Sequence, residues 1–154
     1  MSGNAPEIAL PQLPNARVAI ISSSWHLDIC NDLVAGAQRA LAAAAVKNVE
    51  VIYVPGSFEF PLASQIAFEK GFDAVVAVGL VLEGQTPHFD YVCQGVTQGV
   101  MDVSLKFSAP IGFGVLMCNT LDQAVARSGR PGSSEDKGYD SAVAAIKLLQ
   151  LKEG

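Results

Sequence analysis

The sequence is short of charge. Of its 154 residues only 16% are Asp, Glu, Lys or Arg, against about 25% in an average domain. A single domain of this length has ample surface to cover with polar groups. The shortage implies that part of that surface is buried a second time, against other subunits; a monomer with a large apolar patch is the other reading. Cations are scarcer than acids, ten against fifteen, for a net charge of −5, and they form no basic run. That argues against nucleic-acid binding by phosphate neutralisation. No apolar run approaches the roughly 20 residues of a membrane span, and residues 1–15 lack the charged-then-apolar pattern of a secretory signal. The expectation is a cytoplasmic protein with neither membrane nor nucleic acid as partner. Cysteine is sparse too: Cys30, Cys93 and Cys118 are odd in number, widely spaced and mostly in apolar surroundings. They read as buried free thiols in a reducing compartment. With two histidines, no HExxH and no CxxC pair, no metal site is expected.

What the chain does have is alternation of short apolar runs with helical periodicity. Residues 1–16 contain three prolines and read as an extended arm, able to lie on a neighbouring subunit; 17–154 read as one domain. Strands are expected at 18–21, 49–54, 74–82 and 111–117. Between the first two, Ile29, Leu33, Ala37, Ala40, Leu41 and Ala44 fall at helical spacing over 27–45, with Asp28 and Asp32 placed early, where the helix dipole favours acids. Ser57 reads as the N-cap of a second helix with Pro61 in its first turn, and Gly71 as its terminator. A third helix is expected from Pro87 to Phe107, on the steps Phe89, Val92, Val96, Val100, Val103 and Phe107. Thr120 can cap a short helix over 121–127. A polar loop then leads to a last helix over 138–151 that buries Val143, Ile146 and Leu149. Strands separated by helices imply parallel pairing with right-handed crossovers.

The informative turns all follow strands: 22–25, 55–59, 83–88 and 118–120. Ligands of open α/β sheets bind at strand carboxyl ends, so four such turns can form one rim. The strongest of them is Gly84-Gln85-Thr86-Pro87-His88, where a glycine turn feeds a helix start. Free N–H groups and the helix dipole attract phosphate there, and a histidine, whose ordinary pKa is near neutral, stands beside them. Gly79 and Gly84 have P-loop spacing without the required Lys-Ser/Thr, which argues against a nucleoside triphosphatase. A plain strand-to-helix turn with an exposed or capping His88 is the bland reading. Trp25, the one tryptophan, can stack on a flat heterocycle or anchor an interface. Glu59 can favour the helix dipole or accept hydrogen bonds from a polyol. Arg127 and Lys137 flank the polar loop and would ordinarily be solvated; His26 reads as a surface residue.

Taken together, Val54-Pro55-Gly56-Ser57-Phe58-Glu59-Phe60-Pro61 and Gly84-Gln85-Thr86-Pro87-His88-Phe89-Asp90-Tyr91-Val92 resemble the lumazine synthase family. Gly114-Val115-Leu116, Asn119-Thr120, Gln123-Ala124, Arg127-Ser128-Gly129 and Lys137-Gly138 extend the resemblance, which covers about residues 17–151. It implies a flavodoxin-like three-layer α/β fold, a four-stranded parallel sheet with helices on both faces. The implied activity belongs to riboflavin biosynthesis: 5-amino-6-ribitylaminouracil condenses with 3,4-dihydroxy-2-butanone 4-phosphate to 6,7-dimethyl-8-ribityllumazine, phosphate and water. It implies no cofactor and no metal, a homopentamer with sites between subunits, and riboflavin synthase as a partner. By resemblance Trp25 stacks on the pyrimidine, Ser57, Phe58 and Glu59 hold the ribityl chain and ring, and Val81 and Leu82 line the ring pocket. Gly84, Gln85 and Thr86 form the phosphate turn and His88 transfers protons. From the neighbouring subunit, Phe113 packs on the ring, Arg127 pairs with phosphate and Lys137 binds near the uracil. Glu83 departs from the Arg or Lys common before the glycine, and would lower the positive potential there unless it points away. The nine-residue loop 128–136 is somewhat long for members that form shells, so a free pentamer is expected. The alternatives are a non-catalytic flavin- or lumazine-binding module and a scaffold protein on an inherited fold.

Overall fold

Nine consecutive apolar residues, from Ala74 to Leu82, form the centre of the sheet, and seven of the nine are buried. Such a run is stable only as a strand covered on both faces. The computed structural model describes residues 3–154. The elements run β1 (Arg17–Ser23), α1 (Leu27–Ala43), β2 (Asn48–Val54), a 3₁₀ turn (Ser57–Glu59), α2 (Phe60–Glu69), β3 (Ala74–Leu82), α3 (His88–Phe107), β4 (Ile111–Cys118), α4 (Leu121–Arg127) and α5 (Lys137–Glu153). The four strands lie in the order β2-β1-β3-β4, and every pairing is parallel. This is a three-layer α/β architecture.

The pleat divides the core in two. Val18, Ile20, Val76, Val78 and Leu116 face α1 and α5, where they meet Ile29, Leu33, Leu41 and Ile146. Ala19, Ile21, Val75, Ala77 and Val115 face the opposite way, onto Phe60 and Phe68 of α2 and Val96, Val100 and Val103 of α3. Each fully buried Leu or Ile contributes about 1.5–3 kcal/mol of transfer free energy. The predicted helical stripes of α1 and α5 are buried along their length. On α3 the stripe is buried at Val96, Val100 and Val103 and only half-buried at Phe89, Val92 and Phe107.

Local signals behaved as their chemistry dictates. Thr120 Oγ1 accepts from Gln123 N–H while Gln123 Oε1 reaches back, a complete capping box at α4. Gly71 takes φ +91° after α2, and Pro61 sits in the first turn of α2. Most boundaries shift by one to three residues, and two of the differences concern cap positions. Ser57 does not cap α2: it opens the 3₁₀ turn, its Oγ finds no partner among the described residues, and α2 begins at Phe60. The tighter turn moves Ser57 off the helix end and onto the floor below Gly79, where Ser57 Oγ lies 2.9 Å from the place a Cβ would occupy. Pro87 holds the cap position of α3, whose first helical residue is His88. Residues 4–13 form no helix or strand; Leu13 is buried and its N–H donates to Ala44 O at 2.7 Å.

Candidate active site

In the order β2-β1-β3-β4 the chain steps one way from β1 to β2 and the other way to β3. The crevice outside the carboxyl ends of β1 and β3 is the switch point, where open α/β sheets place ligands. A cleft of about 440 Å³ lies there. It is lined by Trp25 and His26 after β1, by residues 55–59 after β2, by residues 80–83 at the end of β3, and by His88 and Val92 of α3.

Backbone bonds fix the rim. Ser24 N–H donates to Pro55 O at 3.3 Å and Ser24 Oγ to Val54 O at 2.9 Å, tying the first loop to the second. The Cys30 thiol donates to Trp25 O at 3.1 Å from below. His26 then takes the left-handed conformation, φ 52°, and its carbonyl accepts the first bonds of α1. The indole packs over Gly56: a Cβ there would lie 3.4 Å from Trp25 Cδ1 and Nε1, in van der Waals contact. Trp25 and Phe58 are exposed by 67% and 61%, so two aromatic faces stand open at one mouth. Gly95 of α3 makes room for Phe58, since a Cβ there would come within 2.9 Å of its ring.

Seven of the residues singled out from the sequence converge on this cleft: Trp25, Ser57, Phe58, Glu59, Val81, Leu82 and His88. Gly84, Gln85 and Thr86 do not line it; they form an exposed turn between its edge and α3. That turn leads into the amino end of a 20-residue helix with no side-chain cap, so the N–H groups of His88 and Phe89 have no hydrogen-bond partner among the described residues. The fourth turn, after β4, does not line the cleft either. It touches the edge through Asn119, whose Nδ2 donates to the Glu83 carboxylate. Glu83 bonds the end of β4 in this way while still lining the cleft, and its negative charge stays beside the phosphate turn.

Phe113, Arg127 and Lys137 lie outside the cleft. Phe113 stands on β4, at the edge of the sheet, and is 41% exposed. Arg127 ends α4 and Lys137 begins α5. Both pair with Glu135, a residue that spacing did not single out. No sequence signal marks it, because an acid in a polar loop ordinarily points to water. His26 and Val92 were also read only as surface and helix positions. Among the described residues no cluster of acids, histidines and cysteines could hold a metal ion, and no helix is long and apolar enough to cross a membrane. Burial pushes all three thiols up from their ordinary pKa, so none is poised as a nucleophile.

A family model described as 6,7-dimethyl-8-ribityllumazine synthase matches residues 15–153. The chain is 49% identical over 147 residues to the 6,7-dimethyl-8-ribityllumazine synthase of Streptomyces coelicolor, covering 95% of this chain and 91% of that one. It is 49% identical over 152 residues to the protein of the same name from Pseudarthrobacter chlorophenolicus, covering 95% and 94%. Over 155 residues it is 47% identical to the one from a Nocardioides species, covering 99% and 96%.

Proposed function

The chain belongs to the 6,7-dimethyl-8-ribityllumazine synthase family, and on that premise we propose how it works. It is a transferase of riboflavin biosynthesis that condenses 5-amino-6-ribitylaminouracil with 3,4-dihydroxy-2-butanone 4-phosphate, releasing phosphate and water. The observation that carries this assignment is the cleft at the β1–β3 switch point, with two exposed aromatics, a histidine and an uncapped helix start at one mouth.

Trp25 and Phe58 offer flat apolar faces to the pyrimidine, and Glu59 offers acceptors to the ribityl hydroxyls, on the segment that the buried Ser57 anchors. Val81 and Leu82 close the floor. The amine attacks the ketone and water leaves to give an imine, phosphate is eliminated, and the ring closes with loss of a second water. Each step moves a proton, and His88 at the mouth can serve several of them. Gly84, Gln85 and Thr86 with the start of α3 receive the phosphate. Much of the acceleration comes from holding two reactants together.

One chain does not complete the constellation, since Phe113, Arg127 and Lys137 stand away from the cleft. We assign them to the site of the next subunit. The assembly is a homopentamer of the cytoplasm, free rather than packed into a shell, with the arm 1–16, whose first two residues lie outside the described ones, reaching a neighbour, 17–154 as its folded domain and riboflavin synthase as a partner. The deciding experiment mixes purified protein with both substrates and follows lumazine absorbance and fluorescence above the uncatalysed background. Acceleration that requires the phosphorylated ketone and falls in His88→Ala supports the assignment. Binding of the pyrimidine by a folded pentamer without any acceleration would replace it with a binding module.

A further inference from the structure

Arg127 and Lys137 meet on one acid. Glu135 Oε2 lies 3.4 Å from Arg127 Nε, and Oε1 lies 3.1 Å from Lys137 Nζ. At 13% the Glu135 side chain is less exposed than any other side chain in an ion pair among the described residues. Its Oε1 is fully buried, close enough to Lys137 to pair yet off the hydrogen-bond direction. A carboxylate withdrawn from water needs its charge met, and here these two cations meet it.

The acid is fixed from its backbone. Glu135 N–H donates to Ala126 O at 3.0 Å, and Glu135 O accepts from Gly129 N–H at 3.1 Å. Arg130 pins the same loop to α1 through Asp32, at 2.7 Å. The cations are then oriented by the acid. Arg127 Nη1 also donates to the Gln123 carbonyl at 2.9 Å, which leaves Nη2 without a hydrogen-bond partner among the described residues. Arg and Lys side chains carry large rotamer entropy, and an anchored acid behind them removes part of it before a ligand arrives.

We propose that Glu135 is a positioning residue. It sets the spacing and direction of Arg127 and Lys137 so that both present to the two substrates as one preformed clamp, and it touches neither substrate itself. The inference rests on the reading above, in which Arg127 meets the phosphate of one substrate and Lys137 the uracil of the other. A residue that orients both cations has a kinetic signature that neither cation has alone.

Steady-state kinetics of assembled Glu135→Gln, checked for fold and size, read that signature. The KM values for both substrates are expected to rise together by about 3- to 30-fold, while kcat stays within about threefold. Arg127→Ala raises the KM of the phosphorylated ketone alone, and Lys137→Ala that of the pyrimidine alone. Adding Glu135→Gln to Arg127→Ala leaves the ketone KM where Arg127→Ala put it. Glu135→Asp, which keeps the charge and draws it back by one methylene, gives part of the effect and replaces the Gln variant if that one does not assemble. Unchanged KM values, a rise in only one, or a loss confined to kcat or thermal stability overturns the inference, since a purely structural loop acid gives those results. Failure of the underlying reading is distinct: Arg127→Ala and Lys137→Ala would then leave both KM values unchanged.

Discussion

His88 is the first residue of α3 and stands exposed at the cleft mouth, so removing it should change chemistry and little else. Turnover by His88→Ala is expected to fall by roughly 10- to 1,000-fold without vanishing, at or below the usual range for one acid/base group. Complete loss from a folded assembly would mean that holding the substrates together contributes less than assigned. Arg127→Ala should raise the KM of the phosphorylated ketone; an unchanged KM removes Arg127 from the phosphate site. Asp140 carries a pH dependence of its own. Burial, opposed by Lys137 and reinforced by Asp136 and Glu135, raises its carboxyl above the ordinary range. A carboxyl whose folded pKa is raised contributes most below its unfolded pKa, and loses that contribution as pH rises through the folded value. At neutral pH its ionised form therefore costs stability. Asp140→Asn is expected to melt higher than the parent near pH 7, with the advantage shrinking as pH falls through the carboxylate range. A lower melting point at pH 7 would show that its pairing with Lys137, at 3.8 Å, outweighs burial. Of these residues, His88 was legible from the sequence as part of a motif. Glu135 was not, because its burial depends on how the loop 128–136 folds back on α4.

At the scale of elements, close backbone approach decides where the cleft's supports sit. A Cβ on Gly138 would come within 2.1 Å of Leu33 O, so the start of α5 touches the backbone of α1 directly. Gly138→Ala must push the two helices apart or bend one, at a cost of about 1–3 kcal/mol. In a chain of this size that is a melting point lower by about 2–4 °C per kcal/mol, measured by calorimetry. Gly84→Ala, where nothing lies within 4 Å of the added carbon and φ is not positive, is expected to leave the melting point unchanged. Equal melting points for both variants would mean that the helices yield at no cost. Helix periodicity marked α1, α3 and α5, and cap chemistry marked α4, because those signals are local. Ser57 misled for a physical reason: serine is favoured both at a helix cap and in a 3₁₀ turn, and only its place beneath β3 separates the two.

At the scale of the molecule, apolar side chains remain outside both cores. Tyr91, Met101 and Leu105 are exposed along one side of α3, and Leu62 and Ile66 are exposed on α2. Exposed apolar surface of this extent accords with the low charge and is expected to be covered by other copies of the chain. Sedimentation should report five chains per particle. Leu105→Lys places a charge on the uncovered side of α3 and should shift the particle to smaller species, with turnover falling in step because sites would lose their second wall. Full turnover by single chains would refute the shared site. The sequence by itself determined the order of strands and helices, the all-parallel sheet and part of the cleft, and its family resemblance added the rest of the seven cleft residues. Periodicity, capping and turn chemistry act over a few residues, and the motif turns sit where their strands end. Only the tertiary structure decided that the cleft falls at the β1–β3 switch point, that Asn119 bonds Glu83 at its edge, and that Phe113, Arg127 and Lys137 lie apart from His88. Those facts depend on strand order and on contacts between residues far apart in the chain, which no local pattern encodes.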